Sequence, residues 1–149
     1  MPHENPTNEA LYALLTSART IAMVGASSDP RRPSWGVMKF RLRRGFHVLP
    51  VSPFETAVHG QKAYASLDEI SQPVDIVDVF RRAEATPAIA DEAVTIGAKA
   101  LWLQLGISSE EAARRAGAGG LTVIMDRCIA ATVRELGIDP ATPAHSSAR

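Results

Sequence analysis

The sequence predicts an α/β fold of three layers, with helices on both faces of a mainly parallel sheet of five or six strands. Three observations carry this reading. Short apolar runs of strand length alternate along the chain with stretches of helical periodicity. Gly or Pro marks most of the junctions between them. The first such run, Thr20 to Val24, passes into the small-residue turn Gly25-Ala26-Ser27-Ser28 and then, beyond Arg31 and Arg32, into a helix start marked by Ser34. A strand, turn and helix joined in that way is how a parallel sheet presents a phosphate site.

The elements follow in order. Asn5-Pro6 reads as an N-cap with proline in the first helical turn, and Leu11, Leu14, Leu15 and Ala18 recur at helical spacing, so the chain opens with an amphipathic helix. After the Thr20–Val24 strand, Val37, Met38, Phe40 and Leu42 give a helix its apolar face, with Arg41, Arg43 and Arg44 among them and Gly45 as the stop. His47 to Val51 is the second strand. Beyond Pro53, Gly60 precedes an edge-strand candidate, Lys62-Ala63-Tyr64, and Ser66-Leu67-Asp68-Glu69 has the form of a capping box opening one helical turn. Val74 to Phe80 is a strand of mainly β-branched residues interrupted by Asp75 and Asp78.

Thr86-Pro87 then caps a helix to about Ile96, with Gly97 beyond it, and Ala100 to Leu105 is the next strand. Ser108 with Glu111 forms a second capping box, for a helix through about Ala116 that Gly117, Gly119 and Gly120 end. Thr122 to Met125 is the last strand and Ile129 to Leu136 the last helix. No internal repeat is present. Crossovers of the usual right hand are expected. The tail from Asp139 to Arg149 has little to bury and is expected to be disordered, which leaves residues 1–138 as a single domain.

Composition narrows the function classes. A chain of 149 residues can bury roughly two thirds of its unfolded surface, enough for one core. Its 16 Lys+Arg balance 16 Asp+Glu, so no global field draws it to nucleic acid or to an acidic membrane face, and any anion site is local. Cys128 is the single cysteine, which excludes an internal disulfide, and no Cys/His spacing resembles a zinc site. No apolar run reaches the roughly 18 residues of a membrane span. A cytoplasmic protein is expected, with no membrane and no nucleic-acid partner.

In an open parallel sheet the ligand crevice lies beyond the carboxyl ends of the strands, where the strand order reverses. The residues there are Gly25 to Ser34, Ser52-Pro53, Phe80-Arg81-Arg82, Gln104-Leu105-Gly106 and Asp126-Arg127-Cys128. Gly25 can take a positive φ and let a pyrophosphate approach the backbone, while Ser27 and Ser28 offer hydroxyl and amide hydrogens. The dinucleotide fingerprint G-x-G-x-x-G, aligned on Gly25, calls for glycine where the chain has Ser27 and Pro30. An NAD site also places an acidic residue at the end of the second strand, where this chain reads Val51-Ser52-Pro53. Lacking that carboxylate and carrying Arg31 and Arg32, the site suits an adenosine with phosphate on its ribose, as in NADP or coenzyme A.

Chemistry is harder to find. No histidine adjoins Cys128 in sequence, and a lone cysteine after a strand is ordinarily buried and inert. Asp126 and Arg127 read as an ion pair fixing a turn. Trp35 and Trp102 read as packing residues, with Trp35 placed to shield a ligand at the neighbouring loop. No metal-ligand cluster stands out.

These residues together resemble the small standalone coenzyme A-binding domain proteins, relatives of the N-terminal domain of the succinyl-CoA synthetase α subunit. The matching phrases are Val24-Gly25-Ala26-Ser27 with Arg32-Pro33-Ser34, Pro50-Val51-Ser52-Pro53, Pro73 to Arg82, Gly97 to Gly106, and Met125-Asp126-Arg127-Cys128, within a likeness spanning about Leu11 to Leu136. The resemblance implies a Rossmann-like domain whose first loop holds the pyrophosphate. Adenosine would lie near Val51 and Ser52, and the pantetheine arm would run past Phe80 and Arg81 toward Gln104. This chain departs from the family at Ser52, where asparagine is usual, and at Ile129-Ala130-Ala131-Thr132, where the family is more polar.

The expected cofactor-binding residues are Gly25, Ala26, Ser27, Ser28, Arg31, Arg32, Ser34, Val51, Ser52, Pro53, Phe80, Arg81, Gln104, Gly106 and Cys128, with no catalytic residue and no metal ligand. The expected function is non-catalytic binding of CoA or an acyl-CoA, with Cys128 near enough to the pantetheine end for a mixed disulfide under oxidation. Two other readings remain open at this point: an NADP-dependent oxidoreductase, and an interaction subunit that kept the fold and lost the ligand. Protein partners would be a second copy of the chain or an acyl-CoA enzyme.

Overall fold

Five parallel strands in the order β2-β1-β5-β6-β7 form the centre of the computed structural model, which describes residues 2–138. They are β1 (Thr20–Val24), β2 (His47–Val51), β5 (Ile76–Val79), β6 (Ala100–Leu103) and β7 (Thr122–Ile124). Nearly every residue in them is buried, as expected of a sheet covered on both faces. Alternate residues face opposite layers. Ile21, Met23, Ile76, Ala100, Trp102 and Ile124 meet α1 (Asn8–Ser17), α2 (Pro33–Arg43) and α5 (Ile129–Glu135) through Leu11, Leu15, Met38, Ile129 and Val133. Val77, Val79, Leu101, Leu103 and Val123 meet α3 (Thr86–Thr95) and α4 (Glu110–Ala118) through Ile89, Ala93, Ala112 and Ala116. This is a Rossmann-like three-layer sandwich, with five strands in the sheet.

A two-stranded antiparallel hairpin, β3 (Ala57–Val58) with β4 (Gln61–Lys62), stands apart from the main sheet. The expected edge strand at Lys62–Tyr64 is thus divided. Lys62 belongs to the hairpin, whereas Tyr64 makes a single parallel bridge to Val51 and donates its amide to the Pro50 carbonyl.

The caps differ from the sequence reading at several ends. Thr7, not Asn5, caps α1, its hydroxyl accepting from the Ala10 amide at 3.2 Å. Asn5 clasps the sheet edge instead, donating to the Met125 carbonyl at 2.8 Å and accepting from the Met125 amide at 2.9 Å. Ser109, not Ser108, caps α4, and Glu111 is taken up by Arg114 and Arg115 rather than closing a capping box. The short turn at Leu67–Glu69 forms without a Ser66 side-chain cap, because that hydroxyl bonds Asp68. Thr86 is the first residue of α3, its hydroxyl donating back to Ala83. The expectation for residues 139–149 lies outside the described residues.

Asp75 ties the amino edge of the sheet together. Its carboxylate accepts from the amides of Arg19 and Thr20 at 2.8 and 3.0 Å and faces Lys99 at 3.4 Å. Burial pushes its pKa up, but those amides and the lysine outweigh burial and hold it below the usual carboxylate range.

Candidate functional site

The chain leaves β1 for β2 on one side and later returns to β5 on the other, so the strand order reverses between the carboxyl ends of β1 and β5. A cleft of about 810 Å³ opens there, a volume that suits a ligand of cofactor size. Its near wall is the loop after β1. Gly25 adopts φ +89°, and a Cβ built on it would stand 2.7 Å from the Phe80 carbonyl oxygen and 3.2 Å from the Arg81 Cδ. Only glycine lets the two strand ends approach so closely.

The amides of Gly25 and Ala26 donate to the Val51 carbonyl at 3.0 and 3.4 Å, which fixes the loop against β2. Ser27 lines the cleft and Ser28 lies next to it in the chain. The Ser27 hydroxyl accepts from the Asp29 amide at 3.0 Å and keeps its own hydrogen to give. The Ser28 amide and hydroxyl both donate to one oxygen of Glu55, at 2.9 and 3.0 Å. A carboxylate therefore takes up both Ser28 donors.

Three arginines, Arg32, Arg81 and Arg82, line the cleft together with the single carboxylate Glu55. Positive charge is thus gathered locally in a chain of zero formal net charge. Of the expected site residues, Gly25, Ala26, Ser27, Arg32, Ser34, Phe80, Arg81, Gln104 and Cys128 line this cleft. Arg31 is turned outward in a solvent-exposed pair with Asp29 at 3.1 Å, and the Arg31 side chain holds the Asp29 carboxyl below its ordinary pKa. Ser28 sits beside the cleft under Glu55. Val51 and Ser52 are buried, the Ser52 hydroxyl accepting from the Phe54 amide at 3.1 Å, and Pro53 is exposed outside the lining. Gly106 closes the turn after β6 by donating its amide to Asp126 at 2.7 Å.

Phe54, Glu55 and Ile107 line the cleft but were not among the crevice positions named from sequence, whereas Leu105 was. Phe54 and Leu105 stand on the rim with 90% and 70% of their surface exposed, an apolar edge on a polar mouth. The signal available for Phe54 was an aromatic residue directly after the Ser52-Pro53 strand end. Trp35 does not line the cleft; it lies against the His59 ring at 4.6 Å, and His59 bonds the Trp35 carbonyl. Trp102 is fully buried and donates its indole N–H to the Arg127 carbonyl at 2.7 Å. Asp126 and Arg127 do not pair with each other: Arg127 reaches Thr132 at 3.0 Å and Glu135 at 3.7 Å.

Two ionisable side chains are buried without hydrogen-bond partners among the described residues: Arg41 of α2 and Asp78 of β5. Asp78 sits in register between Met23 and Trp102, on the face that α2 covers. Burial pushes its carboxyl up to about 7 despite the opposing pull of Arg41. Burial likewise lowers Arg41 to about 10, against the favourable fields of Asp78 and Cys128. The Arg41 guanidinium lies 4.0 Å over the Phe46 ring.

A parallel sheet with its order reversal under an open cleft, a glycine-hinged loop on one wall and arginines around it, defines a Rossmann-like binding domain. Residues 19–134 match the family described as CoA binding domain, and the chain belongs to that family. It is 40% identical over 126 residues to the uncharacterized protein YneT of Bacillus subtilis strain 168, covering 85% of this chain and 93% of YneT. A solved hypothetical protein from Pyrococcus horikoshii OT3 superposes with a TM-score of 0.87 at 34% identity, covering 91% of this chain and 96% of the other. A shorter match, 42% identity over 59 residues, joins 39% of this chain to 13% of the α subunit of acetate–CoA ligase [ADP-forming] II of Pyrococcus furiosus. No helix among the described residues is long and apolar enough to cross a membrane.

Proposed function

We propose that this protein binds coenzyme A, or an acyl-CoA, without transforming it. The observation that carries the reading is the cleft at the β1/β5 reversal, where Ser27 and three arginines line one opening in a protein of the CoA-binding family. In this reading the pyrophosphate lies against Ser27 and Ser28 with Arg32 beside it, displacing Glu55. The adenosine lies toward the Pro53–Glu55 segment, where the exposed Phe54 ring offers a face for the base. The end of β2 itself carries no carboxylate against the ribose phosphate, and Arg32 lines the same cleft. The pantetheine arm passes Phe80 and Arg81 toward Gln104 and Cys128.

Gln104 supports this path by a structural role. Its side-chain oxygen accepts from the Ile129 amide at 3.2 Å and so holds the start of α5 against the end of β6. That contact fixes the far wall along which an arm would lie. The cytoplasm, and association with a second copy or with an acyl-CoA enzyme, belong to the same proposal.

Calorimetry with CoA, acetyl-CoA and NADPH tests it. Saturable heat with CoA, and a rise in stability of about 2.7 kcal/mol at 100 times the dissociation constant, are expected. Binding of NADPH with no response to CoA would overturn the reading in favour of a dinucleotide enzyme.

A further inference from the structure

We infer that Cys128 is a thiol–disulfide exchange site for the thiol arm of the ligand, so that the protein can hold its coenzyme covalently. The inference rests on the CoA reading given above. Cys128 is free, partly exposed, and lines the cleft beside the carboxyl end of β6, where the Arg127 amide donates to the Leu103 carbonyl and the Ile129 amide to the Gln104 side chain. The strand order β1-β5-β6 puts two strand spacings between the ends of β1 and β6, about 10 Å at ~4.8 Å each. A pantetheine arm anchored by its pyrophosphate at the first end is long enough to carry its sulfur to the second.

A separate feature marks the same cleft as built for a ligand. Ser34, only 2% exposed, lines it, and its hydroxyl has no hydrogen-bond partner among the described residues. An unanswered buried hydroxyl on a cleft wall is costly unless something that enters the cleft bonds it.

The step is an exchange. The Cys128 Sγ, as thiolate, attacks one sulfur of a symmetrical coenzyme disulfide; an Sγ–S bond forms as the S–S bond breaks. The departing coenzyme thiolate takes up the proton that Cys128 gave to solvent. Cys128 is oxidised and one coenzyme is reduced, with the incoming disulfide as the oxidant.

The test uses reduced wild-type protein freed of reductant. It is mixed with CoA disulfide or, at equal concentration, with pantethine, the disulfide of the same arm without the nucleotide, and the products are followed by intact mass and peptide mapping. Expected is a single CoA adduct on Cys128, formed at least tenfold faster than the pantetheine adduct and slowed by excess desulfo-CoA. Cys128→Ser forms no adduct. Equal rates for the two disulfides, or no adduct, in a protein that binds CoA by calorimetry overturns this inference alone. Failure to bind CoA at all overturns it together with the reading beneath it.

Discussion

The backbone of Gly25 lies so close to Phe80 that a Cβ added to the glycine would stand 2.7 Å from the Phe80 carbonyl oxygen. The contact joins the ends of β1 and β5, where the strand order reverses, and it shapes the wall on which the proposed phosphate loop rests. Gly25→Ala must relieve both that overlap and φ +89°. The expected cost is at least ~2 kcal/mol in urea unfolding, with weakened CoA binding. Gly36, exposed within α2 with open space around it, is the control: Gly36→Ala stabilises by roughly 0.5–1 kcal/mol. Equal effects at the two glycines would contradict the account of the loop.

Arg32 and Arg31 are neighbours with different surroundings. Arg32 lines the cleft, whereas Arg31 is paired with Asp29 at the surface. Arg32→Ala is expected to weaken CoA binding roughly tenfold, about 1.4 kcal/mol, and Arg31→Ala by less than about twofold. Isothermal calorimetry at two salt concentrations checks both, and the Arg32 effect shrinks as salt rises. The reverse ranking would move the phosphate site out of the cleft.

In the proposed site Glu55 leaves Ser28 and a phosphate takes its place. Glu55→Gln removes the competing charge and the repulsion it exerts on an incoming phosphate. A gain in CoA affinity of roughly threefold to tenfold is expected, on the order of 1 kcal/mol. A loss of affinity would mean that Glu55 helps to hold the ligand.

Asp78 gives the fold a pH dependence of known sign. Its carboxyl is pushed up to about 7 in the folded state, so between the unfolded value near 4 and pH 7 the native state holds a proton that the unfolded chain has released. Stability contributed by this group is fully present below about pH 4 and is lost as pH rises toward 7, at no more than ~1.4 kcal/mol per unit. Asp78→Asn should remove that slope in urea titrations run from pH 4.5 to 7.5. A wild-type slope identical to that of the variant would show that Asp78 is ionised throughout, held by Arg41.

Much of the architecture was legible because the strands are short runs of Val, Ile, Leu and Ala buried on both faces, a pattern that admits little else between helical stretches. The helix starts were less so. Runs such as Ser108-Ser109 and Asn5 to Thr7 offer several side chains able to cap, and tertiary contacts decide among them; Asn5 is drawn away by the Met125 backbone. The loop after β1 followed from Gly25 and its small neighbours. Its partner Glu55 did not, because the segment between β2 and β3 has no periodicity to place it. Nor did sequence distinguish Arg41 from Arg43 and Arg44 on the same helix, although Arg41 alone of the three is fully buried. Burial of one arginine depends on Asp78 and Phe46, which come from elsewhere in the fold.

The central claim is that the turn after β1 receives a diphosphate. Amide NMR during titration with CoA tests it most directly, with pantetheine as the phosphate-free comparison. The account predicts that the Ser27 and Ser28 amides undergo the largest shifts with CoA and stay nearly still with pantetheine. Saturation by CoA with those two amides unmoved would contradict it.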